Sequence, residues 1–206
     1  MQRVHLALLA LCLLVPVHAH AEELGSRGNL VFSADRLFGL YFGHESVEVT
    51  DNSSVSRDRT LIGLGWSQPV DTTMTTTPRL GIDYFLTRAL TLGGGIGFAN
   101  SNVEDRSATA FVFAARVGYA LRLGHSVSLW PRGGFTYTTV SVEDSSLDHY
   151  TFALTVEAPF AFALTEGFAF TLGPNLDLGF LAERASRDAT ETVFGLMVGL
   201  AGWTNL

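Results

Sequence analysis

Long segments in which large apolar residues alternate with small or polar ones are the feature that most constrains this fold. The clearest runs over 150–164, where Phe152, Leu154 and Phe160 share one face with other bulky residues, opposite small and polar ones. A period of two residues predicts a β-strand. Ordinary soluble strands have about 5–6 residues, whereas tilted strands that cross a bilayer need about 9–11. The pattern therefore favours strands that span a membrane.

Seven further segments of the chain have the same character, and they lie at 29–49, 78–86, 90–98, 109–123, 127–141, 168–180 and 192–206. The first is interrupted in phase by Asp35 and Arg36. Because the bulky face carries more side chains than a narrow lumen could hold, we expect it to face lipid and the small face to line the interior. The fold class predicted is all-β: a single antiparallel transmembrane β-barrel of eight strands.

The number of strands depends on 60–66, which is also strand-like. Single-chain bacterial barrels normally have an even number of strands. We therefore place 60–66 as a short extra strand within a long outer loop at 51–77. A ten-strand barrel, with a break in the N-terminal strand, stays open as the alternative.

The connections alternate in length. Those at 87–89, 124–126 and 165–167 are short, and those at 100–107, 142–149 and 183–191 are longer and rich in charge. Short periplasmic turns and longer outer loops are typical of such barrels, so the C-terminus is expected on the periplasmic side.

Composition supports a membrane barrel in an exported protein. Hydrophobic residues make up 47 % and charged residues 16 %, yet 22–206 contains no apolar run long enough for a spanning helix. Residues 1–21 predict a signal peptide, with Arg3, an apolar stretch and the Ala19-His20-Ala21 cleavage pattern. The only cysteine, Cys12, lies within it without a lipoprotein pattern, so the mature chain, 22–206, is expected to form one barrel domain without thiols. The net charge of −7 argues against a nucleic-acid partner.

The motif from Leu80 to Phe85, followed by the glycine-rich strand from Leu92 to Phe98, is similar to strands of the OmpA/OmpX-like small outer-membrane β-barrel superfamily. The resemblance implies a bacterial outer-membrane protein in contact with membrane lipid. It also implies recognition by the barrel assembly machinery through the C-terminal strand. Such barrels usually end in Phe or Trp, whereas this chain ends in Leu206.

Candidate chemistry is sparse. His44, His125 and His149 lack metal-ligand spacing, and His149 with Ser145 or Ser146 is the only local candidate for nucleophilic catalysis. We therefore predict no catalytic, metal or cofactor residues. Buried charges must pair or be solvated, so a salt-bridged interior network is expected among the charged residues on the small face: Arg79, Asp83, Arg116, Arg122, Arg132, Glu157 and Asp177.

Three functions remain open at this level. The first is a non-catalytic structural or interaction protein whose outer loops meet an unknown extracellular ligand. The second is a small pore or a carrier of small or hydrophobic molecules across the outer membrane. The third is a soluble secreted sandwich or lipocalin-like binder.

Overall fold

The computed structural model describes residues 24–50, 53–66, 76–103, 106–142, 149–184 and 187–205. The predicted signal peptide, residues 1–21, lies outside these ranges. Within them the chain forms twelve β-strands: β1 (Asn29–Thr50), β2 (Ser53–Leu64), β3 (Arg79–Phe85), β4 (Leu90–Val103), β5 (Arg106–Tyr119), β6 (Leu121–Arg122), β7 (Val127–Leu129), β8 (Arg132–Val142), β9 (His149–Glu157), β10 (Phe160–Thr165), β11 (Phe168–Arg184) and β12 (Arg187–Asn205). None of the described residues forms a helix long and apolar enough to span a membrane.

The twelve strands form eight segments of the barrel wall, which we call staves. Four staves consist of two strands each: β2 with β3, β5 with β6, β7 with β8, and β9 with β10. Neighbouring staves are antiparallel, and β12 pairs with β1 to close the sheet. The eight-stranded barrel predicted from the sequence is confirmed. The ten-stranded alternative is wrong because β2 pairs with β1 and continues into the stave of β3.

Two of the staves break at prolines. Pro131 separates β7 from β8, and Pro159 separates β9 from β10. Proline has no N–H to donate, but its carbonyl still accepts. Tyr119 N donates to Pro131 O at 2.9 Å, and Trp130 N donates to Pro159 O at 2.8 Å. The ladder therefore continues across both breaks.

The two faces of the strands differ as the alternation predicted. On β5, Phe113 is 51 % exposed on the outside, whereas its neighbour Val112 is fully buried. Phe160 and Tyr119 are likewise exposed on the outer surface. Phe152 also faces outward but is only partly exposed, because its ring packs edge-on against Phe180 with the two ring centroids 5.3 Å apart. A continuous apolar outer band results.

The outer connections differ from the predicted loops. Residues 100–107 and 183–191 are largely strand, since β4 and β5 pair as far as Val103 and Arg106, and β11 and β12 pair as far as Arg184 and Arg187. Much of 51–77 is also strand, because β2 starts at Ser53. The prediction of loops at these segments was wrong, because the strand hairpins extend past the apolar band. Polar residues occupy both of their faces, so apolar alternation disappears there. The segment 143–148 lies outside the described residues.

Candidate functional site

A network of buried charges occupies the middle of the lumen. Its members come from six strands and are nearly all inaccessible to solvent: Asp35, Arg36, Arg79, Asp83, Arg116, Arg132, Glu157 and Asp177. We call these eight residues the charge network. It contains four acids and four arginines, so its formal charges balance.

Arg116 on β5 joins Asp83 on β3 to Asp35 on β1. Its Nε donates to Asp83 Oδ1 at 3.0 Å, and its Nη2 donates to Asp83 Oδ2, which makes the pair bidentate. Its Nη1 donates to Asp35 Oδ2 at 2.7 Å. Bidentate, charge-assisted bonds of this kind fix the planar guanidinium in one orientation.

Arg132 and Arg36 continue the network across the lumen. Arg132 Nη2 lies 3.1 Å from Asp35 Oδ1 and 2.8 Å from Glu157 Oε2. Arg36 Nη2 lies 2.9 Å from the other oxygen of Glu157, and Arg36 Nη1 lies 2.8 Å from Asp177 Oδ2. The order is therefore Asp83, Arg116, Asp35, Arg132, Glu157, Arg36 and Asp177, with the sign of charge alternating at every step.

A bulge in β1 brings Arg36 into this series. The register between β1 and β12 shifts between Ala34 and Phe38. Arg36 has φ 59°, a left-handed conformation that is uncommon for a residue with a side chain. Strict alternation would place Arg36 on the lipid side with Phe32 and Phe38, whereas the bulge turns it inward. Both Asp35 and Arg36 therefore lie inside.

Sequence reasoning missed Asp35 and Arg36, although the phase break at these two residues was visible. Adjacent charges in an otherwise alternating membrane strand would leave one of them in lipid, at a cost of several kcal/mol (about 2–4 at the midplane). That cost is the signal for a bulge, which lets the strand bury both side chains.

Of the seven residues predicted for the network, six lie in it. Arg79 reaches it through hydroxyls: its Nη1 donates to Thr136 Oγ1 at 3.1 Å, and Thr136 is hydrogen-bonded to Thr155. Arg122 is the exception and is corrected here. It is exposed on β6, beyond the break at Ala120, where the stave has reached the short-turn end of the barrel.

An apolar cluster closes the lumen between the charge network and the short-turn end. We call it the apolar plug, and it consists of Val31, Phe85, Ala120, Trp130, Ala161, Ala169, Ala201 and Trp203. Phe85 stacks on Trp130 with centroids 6.0 Å apart, and Arg132 lies over the Trp130 ring at 4.9 Å. Trp130 Nε1 donates to Thr91 Oγ1 at 3.2 Å. The ring of Trp130 thus joins the plug to the charge network.

On the other side of the network the lumen is filled by Tyr41. Its ring lies across Gly39 and Gly195, where an added Cβ would clash with ring atoms. Further out, Arg59 on β2 pairs with Glu45 on β1. Within the described part of the chain, side chains therefore fill the lumen from the apolar plug through the charge network to Tyr41.

Glycines in the wall leave room for this filling. A Cβ at Gly81 would meet Ser33 Oγ and, at 2.6 Å, Arg116 Nη2, and one at Gly93 would meet Asp83. The network and the glycine-rich strand β4 therefore form one packing arrangement.

The three histidines in the described part of the chain lie outside the charge network. No group of three or more His, Cys, Asp or Glu side chains in the described part of the chain could hold a metal ion. His44 lies on the β1–β2 hairpin, where its Nδ1 is 2.7 Å from Asp58 Oδ1, and His125 lies in a short turn. His149 begins β9 and is half-buried, while Ser145 and Ser146 lie outside the described residues.

A closed antiparallel barrel with an apolar outer band and a charged, filled interior defines a small transmembrane β-barrel of the bacterial outer membrane. The sequence profile described as the outer membrane protein beta-barrel domain matches residues 7–201. The chain belongs to that family. A comparison with curated proteins finds no match.

Solved structures of outer-membrane proteins share the fold. Neisserial surface protein A (NspA) is similar with a TM-score of 0.52 and 12 % identity, over 86 % of this chain and 98 % of that chain. The outer membrane protein OprG from Pseudomonas aeruginosa is similar with a TM-score of 0.50 and 10 % identity, over 90 % and 100 %. At these identities the likeness supports the fold alone.

Proposed function

We propose that this protein is a closed, non-catalytic outer-membrane barrel that presents rigid hairpins to the cell exterior. The observation that carries the proposal is the filled lumen. A pore needs a continuous path of water, whereas here the charge network neutralises itself and the apolar plug lies beneath it. The bulk of the interior is used to hold the barrel together.

The outer hairpins are the second part of the proposal. β1 and β2 pair as far as Thr50 and Ser53, and β11 and β12 pair as far as Arg184 and Arg187. These strands extend the barrel wall beyond the apolar band and expose polar side chains on both faces of β2. Hydrogen-bonded hairpins pre-organise a surface and lower the entropy cost of binding. They are the part of the molecule suited to an extracellular partner.

Conductance of the refolded protein in planar lipid bilayers tests the closed lumen. We expect no steady unitary steps from the wild-type protein. Combining Trp130→Ala with Arg132→Ala should produce measurable current, because it removes one of the three aromatic rings of the plug and the guanidinium that lies over it. Arg122→Ala, exposed at the short-turn end, is the matched control and should stay silent. Steady steps from the wild type would contradict the proposal and support a pore.

A further inference from the structure

The short-turn end of the barrel contains a cavity of about 310 Å³ that the closed lumen leaves unused. It lies between the 124–126 and 165–167 turns, below the apolar plug. Its volume is at the lower end of the range for small-molecule sites, roughly 300–1,000 Å³. Trp203 and Ala169 belong both to the plug and to the wall of this cavity. The cavity is therefore blind: whatever enters from the turn side must leave by the same way.

The cavity has two chemically distinct parts. Leu24, Ala163 and Trp203 line an apolar floor. Leu24 comes from the segment that precedes β1 and packs against the plug. The rim carries Arg122 and Glu166, which are both exposed and of opposite charge. An apolar floor with a few convergent polar groups is typical of ligand sites.

Further polar groups line the cavity. Ser128 is buried on β7 and lines the cavity, and His125 and Ser126 come from the adjacent turn. Arg122 and Ser128 face each other in the β6–β7 ladder. A cationic guanidinium, a hydroxyl and an imidazole thus lie on one side, and the carboxylate of Glu166 lies in the turn between β10 and β11.

We propose that this cavity is a periplasmic binding site for a small zwitterionic molecule with an apolar side chain, of the size of a hydrophobic dipeptide. The ligand's carboxylate meets Arg122, its ammonium meets Glu166, and its side chain packs on Leu24 and Trp203. A single-charged amphiphile such as a fatty acid fits less well, because its carboxylate would leave Glu166 unmatched within the same rim. The site is independent of the outer hairpins and of any transport.

Binding of leucyl-leucine to the full mature protein in lipid nanodiscs tests the proposal. Nanodiscs are preferred to micelles because detergent could occupy the apolar floor. Trp203 lies in the cavity wall, so quenching or a shift of tryptophan fluorescence reports binding, with calorimetry as the independent measurement. We expect saturable binding, weakened about tenfold for both the N-acetylated and the C-amidated dipeptide, since each lacks one charge-assisted contact.

Variants locate the site. Arg122→Gln should weaken binding of leucyl-leucine about tenfold, and Ala163→Phe should abolish it by filling the cavity. Arg88→Gln is the matched control, because Arg88 is exposed in the 87–89 turn away from the cavity. Gel mobility before and after heating shows that each variant is folded. A folded Ala163→Phe protein that still binds would overturn the proposal.

Two other outcomes would also overturn the proposal: absence of saturable binding by the wild type, and tighter binding of decanoate than of the dipeptide. None of these results bears on bilayer conductance, so failure here is separate from failure of the closed-lumen proposal.

Discussion

Arg36 shows how one residue can determine the interior of this barrel. Its guanidinium contacts both Glu157 and Asp177, and it is fully buried. A buried pair adds little net stability relative to apolar packing, but removing one partner leaves an uncompensated charge. The left-handed conformation of Arg36 is kept because the two carboxylates on β9 and β11 hold its side chain inside.

Replacing Arg36 with methionine should therefore lower the free energy of unfolding by about 3–5 kcal/mol. Arg122→Met is the control and should change it by less than about 1 kcal/mol, because Arg122 is exposed at the barrel end. Urea unfolding in lipid vesicles, followed by heat-modifiable gel mobility, gives both values. Equal losses for the two variants would mean that Arg36 is not held in a dry ion pair.

The coupling between Arg132 and Glu157 is a second residue-scale prediction. Their charged atoms are 2.8 Å apart. We expect Glu157→Gln and Arg132→Met to be non-additive, with an interaction energy of about 0.5–3 kcal/mol in a double-mutant cycle. Thermal unfolding in detergent measures the cycle, and additive losses would show that the two side chains do not interact.

At the scale of elements, β9 illustrates the two-faced strand. Leu154 is exposed on the outer face, and Thr155 next to it is buried and donates to Asp177 at 2.6 Å. Tyr150, on the outer face near the start of the strand, pairs with Thr139 and Glu183. The change from apolar to polar neighbours marks the outer interface, where tyrosines are preferred.

Placing arginine at Leu154 should cost about 2–4 kcal/mol, because its side chain lies towards the middle of the apolar band. Arginine at Tyr150 should cost about 0–1 kcal/mol, since near the interface it can reach water. Unfolding free energies in vesicles of defined thickness give the comparison. A loss of unfolding free energy at Leu154 no larger than that at Tyr150 would show that the assigned strand boundaries are wrong.

How far the sequence predicts an element depends on whether its two faces meet different surroundings. β5 and β9 lie between lipid and a packed lumen, so the alternating pattern predicted both the strands and which of their faces points to lipid. β2 stands mostly beyond the band with water on both faces, and the same reasoning took much of it for loop. The alternation revealed the phase break at Arg36 but not the partners of its inward side chain, because Glu157 and Asp177 are more than a hundred residues away along the chain.

At the scale of the whole molecule, antiparallel strand pairing continues around the barrel and returns to the strand where it began. The pairs run from Leu30 to Tyr84, Leu92, Val117, Gly133, Val156, Leu176, Phe194 and finally Phe42 on the same first strand. The offset between Leu30 and Phe42 is the stagger that closure of tilted strands requires. Because neighbouring staves are antiparallel, successive connections alternate between the two ends, so the short turns share one end and the long hairpins share the other.

This orientation can be tested with thiol labelling, because the predicted mature chain has no cysteine. Ser56→Cys on the outer hairpin should react with a membrane-impermeant maleimide on intact cells. Ser126→Cys in a short turn should react only after the outer membrane is permeabilised. Both serines are exposed, so intrinsic access is matched. Labelling of Ser126→Cys alone on intact cells would reverse the assigned orientation.

The central claim is that bulky residues face lipid and the charged residues face a closed interior. A nitroxide spin-label scan along residues 150–156 in lipid vesicles tests it most directly, because oxygen concentrates in the hydrocarbon and reports lipid contact. We expect collision rates with oxygen to alternate, high at 152, 154 and 156 and low at 151, 153 and 155. The opposite phase, or the absence of a two-residue period, would contradict the inside and outside assignment and with it this account of the barrel.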